Sequence, residues 1–258
     1  MKILFNKYEG AGNDFIIINN DPAVISHDDS VLICRLCDRR FGIGADGLIL
    51  IEKHEGYDFG MIFFNSDGHP STMCGNGGRC AAHFAMKHFT GNRKVNFMVA
   101  DGPHTAFPVG DLIDLSINDV HDIKRTSDGM VVDTGVPHLV VFTDDVDRAD
   151  MIEVGRQLRY SQLYAPAGVN VNLVQVVGDK LMLRTYERGV EDETLACGTG
   201  ATASAIAAAL SGKIVTDHAE VEVKGGTLYV SFKIINETVT EIHLRGPATF
   251  VFSGETEI

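Results

Sequence analysis

Three pairs of residues in this chain stand at one constant separation. Cys197 follows Cys74 by 123 positions, Gly135 follows Gly12 by the same 123, and Gly225 follows Gly102 by 123 again. Duplicated units keep their spacings after their residues diverge. A shared offset that links a strand-opening glycine, a cysteine turn and a hairpin glycine therefore constrains the fold more than composition does. The chain is expected to contain one structural unit twice.

Local patterns agree with that expectation. Residues 3–20 read as two strands around the turn Gly10-Ala11-Gly12, since Phe15 to Ile18 is an apolar, β-branched run, and Asn13 falls at the mouth of the second strand. Helical spacing over 30–41 is followed by a glycine-rich stretch, by strands at 48–52 and 59–65, and by further strands over 95–117 around Asp101-Gly102. In the second half Leu139 to Phe142 repeats the apolar strand that follows Gly12. The fold class expected is α+β, with two pseudo-symmetric domains, each a curved, barrel-like sheet around a central apolar helix. The active site is expected in the cleft between them. The domains expected are 1–117, carrying Cys74, and 118–248, carrying Cys197, with the last strand at 249–258 returning to complete the first.

The paired cysteine turns carry the chemistry. Met73-Cys74-Gly75-Asn76-Gly77-Gly78-Arg79-Cys80 opens one Ala-rich apolar run, and Ala196-Cys197-Gly198-Thr199-Gly200-Ala201 opens another. A thiol at a helix N-terminus is drawn toward its thiolate, because the helix dipole and the unpaired N–H groups favour negative charge. Inverting a carbon stereocentre without a cofactor requires one group to remove a proton and a second to deliver one to the opposite face. Two such thiols can exchange those roles near neutral pH. The glycine amides beside them can hold the oxygens onto which the carbanion spreads its charge.

Composition excludes other classes. A formal net charge of −13, without a cluster of Lys and Arg, argues against nucleic acid. Lys2, Lys7 and Glu9 break up the N-terminal apolar run, so a secretory signal is not expected and a cytoplasmic location is. No stretch reaches the roughly 18 uninterrupted apolar residues of a membrane helix. Five cysteines in a chain of 258 residues read as reduced thiols. Cys34 and Cys37, in a C-x-x-C spacing within a helical pattern, are expected to pack in the core, as is Cys80. Neither the cysteines nor the ten histidines show a metal-ligand spacing, and the Gly44 to Gly47 stretch lacks the pattern of a phosphate loop.

The chain resembles the cofactor-independent diaminopimelate epimerase family over nearly its whole length. The resemblance rests on Gly12-Asn13-Asp14-Phe15, Phe41-Gly42-Ile43-Gly44-Ala45-Asp46-Gly47, Phe64-Asn65-Ser66-Asp67-Gly68, the two cysteine turns and Tyr186-Glu187-Arg188-Gly189. It implies interconversion of LL- and meso-diaminopimelate, in lysine and cell-wall precursor synthesis, with no cofactor and no metal. It also implies that Cys74 and Cys197 are the two acid–base residues and that Gly75-Asn76 and Gly198-Thr199 grip the reacting carboxylate. Asn13, Asn65, Asn170, Glu187 and Arg188 match positions that line the pocket, Arg188 suited to a carboxylate and Glu187 to an ammonium group. One departure stands out. Where the family usually reads Gly-Asn-Pro-His, this chain has Gly135-Val136-Pro137-His138, and Val136 lies 123 positions after Asn13. His138 remains an additional site candidate. The partner expected is a small-molecule substrate, without nucleic acid or membrane, and a homodimer is possible. A proline-type racemase also uses opposed thiols, but Asn76 and Arg188 count against it. A non-catalytic amino-acid-binding or thiol-sensing protein on the same scaffold is the alternative of a different class.

Overall fold

The structure, a computed structural model, describes residues 2–236 and 238–257. The first half contains β1 (Lys2–Gly10), β2 (Asn13–Asn19), α1 (Ser30–Cys37), β3 (Gly47–Glu52), β4 (Phe59–Asn65), β5 (Pro70–Ser71), α2 (Gly75–His88), β6 (Val95–Val99), β7 (Gly102–Val109) and β8 (Leu112–Ile117). The second contains β9 (Ile123–Arg125), β10 (Met130–Asp133), β11 (Pro137–Phe142), α3 (Met151–Arg159), β12 (Asn170–Val177), β13 (Lys180–Glu187), β14 (Asp192–Thr194), α4 (Gly198–Leu210), β15 (His218–Val223), β16 (Gly226–Ile235), β17 (Thr238–Gly246) and β18 (Thr249–Glu257). The fold is α+β. It divides into two compact units, Met1–Leu115 with Gly246–Ile258, and Ser116–Arg245.

In the first unit β1 lies antiparallel between β18 and β2, and β2 runs parallel to β3. The return from β2 to β3 passes through α1, as a parallel crossover requires. β4 pairs antiparallel with β3 and β5 and parallel with β6, the second crossover being α2, and β6 to β8 form a meander. α2 touches β1, β2, β3, β4, β6, β7 and β18, so the sheet curls around it. Strands enclosed on both faces carry continuous apolar runs rather than alternation, which explains Phe15 to Ile18 and Leu48 to Ile51, all buried. Ile16, Ile18, Leu48 and Leu50 pack with Ile33 and Leu36 of α1. The opposite face of the same strands meets α2, where Phe15 and Ile49 lie beside Gly77.

The second unit repeats the pairing strand for strand. β10 lies antiparallel between β9 and β11, β11 is parallel to β12, β13 pairs antiparallel with β12 and β14 and parallel with β15, and β16 joins β15 to β17. The edge position that β9 takes here is taken in the first unit by β18, from the far end of the chain. Gly12 and Gly135, one offset apart, have φ of 84° and 100°. That left-handed backbone strains other residues and lets the chain turn into β2 and β11. α4 is buried from Gly198 to Ala208. Its Thr202 and Ser204 hydroxyls donate to the carbonyls of Gly198 and Gly200, so the polar side chains are satisfied inside the sheet.

Two local expectations are corrected. The helix expected over 30–41 ends at Cys37, because Asp38 turns to an extended backbone with ψ of 126° and its carboxylate accepts the amides of Arg40 and Phe41. Cys37 and Cys80 are buried, but Cys34 is exposed and does not pack in the core. Among the described residues no helix is long and apolar enough to cross a membrane.

The packing of α3 on its sheet has a tight point. A Cβ on Gly155 would lie 2.4 Å from the Tyr186 Cβ, and Tyr186 is fully buried. Overpacking a filled core costs about 1–3 kcal/mol. Gly155→Ala is expected to lower the free energy of unfolding by that amount in a denaturant titration, with the far-ultraviolet spectrum unchanged.

Candidate active site

In the first unit the chain enters α2 through Cys74, whose backbone is extended (φ −114°, ψ 116°) and whose Sγ accepts the Gly77 amide at 3.5 Å. A side-chain acceptor at this position is what an unpaired first-turn N–H needs, and here a sulfur fills it. Asn76, buried in the first turn, is held by Arg79, whose Nη2 donates to its Oδ1 at 2.8 Å. The same guanidinium donates to the carbonyls of Gly75 and Pro247. Arg79 is fully buried and forms no ion pair among the described residues. Burial pushes its pKa down, and negative charge at Cys80, Cys74 or Glu9 would oppose that shift. Burial also pushes the Cys80 thiol up, so Cys80 stays protonated.

Asn13, at the start of β2, lies beside the Cys74 thiol. Its Oδ1 lies 3.7 Å from the Cys74 Sγ, which donates to it, and 3.4 Å from the Asn76 Nδ2. Its Nδ2 donates to Asp46 at 2.5 Å, which fixes the amide with its oxygen toward the thiol. Asp46 is anchored in turn by Arg39, which also forks across both oxygens of Asp14. Lys7, nearly buried, pairs with Asp14 at 2.7 Å and donates to the Gly44 carbonyl. Burial alone would raise the Asp14 carboxyl, but the hydrogen bonds and charges of Arg39 and Lys7 outweigh it and hold it well below the usual range.

In the second unit Cys197 caps α4 in the same way, with φ −123° and ψ 110°, and its Sγ accepts the Gly200 amide at 3.4 Å. The Thr199 hydroxyl stands 3.4 Å from that sulfur and 3.0 Å from Nε2 of His138. His138 is fully buried on β11, and its Nδ1 lies 3.1 Å from the Asn172 amide nitrogen. Burial first, and the Arg188 charge second, push its pKa down to about 3, so the ring is neutral. The Asn170 carboxamide oxygen accepts the Arg188 backbone amide at 2.7 Å, and the Arg188 Nη1 reaches the Gly168 carbonyl at 3.5 Å. Glu187 ends β13 beside them.

Each unit thus gathers its own share of the expected residues. Cys74, Gly75, Asn76 and Asn13 converge in the first, and Cys197, Gly198, Thr199, His138, Asn170, Glu187 and Arg188 in the second. Asn65 ends β4 exposed to solvent, with its carbonyl closing the turn to Gly68. Asp46, Arg79 and Asn172 were not singled out from the sequence as site residues. Arg79 carries a signal, since an arginine among the glycines and alanines that open the helix demands a reason. Asn172 sits two positions after Asn170 on one strand and so faces the same side. Among the described residues no three His, Cys, Asp or Glu side chains converge as metal ligands.

Comparison with known proteins identifies the family and the fold. The family described as diaminopimelate epimerase matches residues 5–106 and 130–251. A diaminopimelate epimerase of Flavobacterium psychrophilum is 48% identical over 248 residues, covering 95% of this chain and 97% of its own. One of Chlorobaculum tepidum is 42% identical, covering 95% and 98%. Among solved structures, a PhzF-family phenazine biosynthesis protein of Bacillus anthracis superposes with a TM-score of 0.78 over the whole of both chains at 14% identity. A hydroxyproline epimerase of Agrobacterium vitis gives 0.72 at 14% identity, covering 98% and 92%. At that identity the likeness is one of fold. The relatives and the family match together show that this chain belongs to the diaminopimelate epimerase family.

Proposed function

We propose that this chain interconverts LL- and meso-2,6-diaminopimelate by proton transfer at the α-carbon, with Cys74 and Cys197 as the two acid–base groups. The observation that carries the reading is the repeated cap. At equivalent positions of a duplicated fold, two thiols accept the third amide of a buried helix. That setting favours a thiolate, and a thiolate beside a weakly acidic carbon is a base.

In the forward step one thiolate takes the α-proton and becomes a thiol, while the other thiol delivers its proton to the opposite face and becomes a thiolate. Charge is conserved, and the enzyme is left with its two sulfurs in exchanged states. The electron pair released from the C–H bond is delocalised onto the α-carboxylate, where donors stabilise it most as the charge develops. The first-turn groups of the two helices, Gly75 with Asn76 and Gly198 with Thr199, are suited to supply those donors. Arg188 is suited to a carboxylate and Glu187 to an ammonium group, with Asn13, Asn65 and Asn170 offering amides to the rest of the substrate. Lysine and peptidoglycan precursor synthesis is the setting that fits the reaction.

Three outcomes test the reading. In deuterium oxide the purified protein is expected to place deuterium at the α-carbon of both isomers, and a protein that leaves every α-proton in place overturns it. Cys74→Ala and Cys197→Ala should each lower turnover by about 10²–10⁴-fold or more, the range of a positioned acid–base group, with the fold intact by circular dichroism. Arg188→Met should raise KM by about tenfold or more, since a lost charge-assisted hydrogen bond is worth roughly 1.5–3 kcal/mol.

A further inference from the structure

The second unit contains a run of hydrogen bonds whose direction can be assigned from Leu139 as far as Thr199. The Asn172 Nδ2 lies 3.2 Å from the Leu139 carbonyl, which can only accept, so the nitrogen must face it. The Asn172 Oδ1 then receives the Thr185 hydroxyl at 2.9 Å. The same Nδ2 donates to Nδ1 of His138, which must carry no proton. A neutral imidazole has one proton, so it sits on Nε2 and points at the Thr199 oxygen. With that oxygen already accepting from the ring, the hydroxyl hydrogen of Thr199 is available to the Cys197 sulfur, 3.4 Å away.

We infer that Asn172, through the tautomer it imposes on His138, holds the Thr199 hydroxyl as a donor to the Cys197 sulfur. Asn172 and His138 are positioning residues. Their effect is to stabilise the Cys197 thiolate by a hydrogen bond that a rotating hydroxyl would otherwise share with other acceptors. The first unit treats its thiol differently, since there the Asn13 oxygen, at the position equivalent to Val136, accepts from the Cys74 thiol. The inference rests on Cys197 being a working thiol, as proposed above.

The charged and titratable groups around this run leave the assignment intact. The strands packed on α4 bring Asp133 from β10, Lys180, Arg184, Tyr186 and Glu187 from β13, His218, Glu220 and Glu222 from β15, and Tyr229 and Lys233 from β16. β12 and α4 carry no titratable side chain, and β11 only His138 itself. Lys180 is paired with Glu220 and Glu222, Arg184 with Glu193, and Lys233 with Glu241. Arg188, just beyond β13, acts on His138, and its positive charge opposes a second proton on the ring.

The test reads thiol ionisation without substrate, so it can fail while α-proton exchange stands, and the reverse. The rate of alkylation of Cys197 by iodoacetamide is followed against pH by mass spectrometry of its peptide, with the Cys74 peptide as the internal control. Thr199→Val is expected to raise the Cys197 midpoint by about half a pH unit or more, roughly a threefold loss of thiolate at neutral pH, with the Cys74 midpoint unmoved. Thr199→Ser should restore it. Asn172→Asp should raise the midpoint as Thr199→Val does, because a carboxylate at Nδ1 moves the ring proton there and turns Nε2 into an acceptor for the hydroxyl. A Cys197 midpoint unchanged in Thr199→Val, or moved equally for both thiols, overturns the proposal. In the wild-type protein, long-range proton–nitrogen NMR of His138 should show Nε2 protonated and Nδ1 bare. The opposite tautomer overturns the proposal even if the variants fail to fold.

Discussion

Everything at this site depends on a sulfur taking the place of a helix cap. A cysteine Sγ that accepts a first-turn amide is held in direction by the backbone, and it lies where the helix most favours negative charge. The hydrogen bond needs the chain to approach extended and then turn at once into a helix, which Cys74 and Cys197 both do. It also needs the helix to be immobile. The enclosing strands provide that, and the glycines and alanines behind each thiol are what allow a sheet to close so tightly around a helix.

The two units share this frame and fill it differently. Arg79 and Thr202 occupy equivalent positions, and each satisfies the carbonyl four residues earlier, Gly75 for one and Gly198 for the other. One does it with a buried cation and the other with a hydroxyl. Asn76 is held by Arg79, while its counterpart Thr199 is held by His138. Asn13 presents an oxygen to Cys74, and its counterpart is Val136, which has no polar group to present. Duplication keeps the backbone requirement, because the strands pair only in one register. The side chains at each thiol are bound by no such rule, so the two sulfurs sit in unlike surroundings.

The ionic cluster behind Asn13 shows how far that positioning reaches. Asn13 is oriented by Asp46, Asp46 by Arg39, and Arg39 shares Asp14 with the nearly buried Lys7. Surface pairs of this kind contribute little alone. Here the value lies in direction, since each link restricts an amide that could otherwise present its nitrogen to the thiol.

The sequence by itself determined the duplication, the two cysteine turns, the apolar strands and the family resemblance, because period, spacing and turn chemistry are local properties of a chain. It placed the end of α1 too late, since the Asp38 side chain stops that helix by bonds no periodicity records, and it packed Cys34 in a core from which the helix turns it away. It also passed over Asp46, Arg79 and Asn172, although two of them stand inside the motifs that mark the site. Asp46 and Asn172 act through Asn13 and His138, 33 and 34 positions away, and Arg79 ties Gly75 and Asn76 to Pro247, 168 positions away. Only the tertiary structure decided those contacts, because hydrogen-bond direction depends on which atoms the folded sheet brings within reach, and residue order alone does not state it.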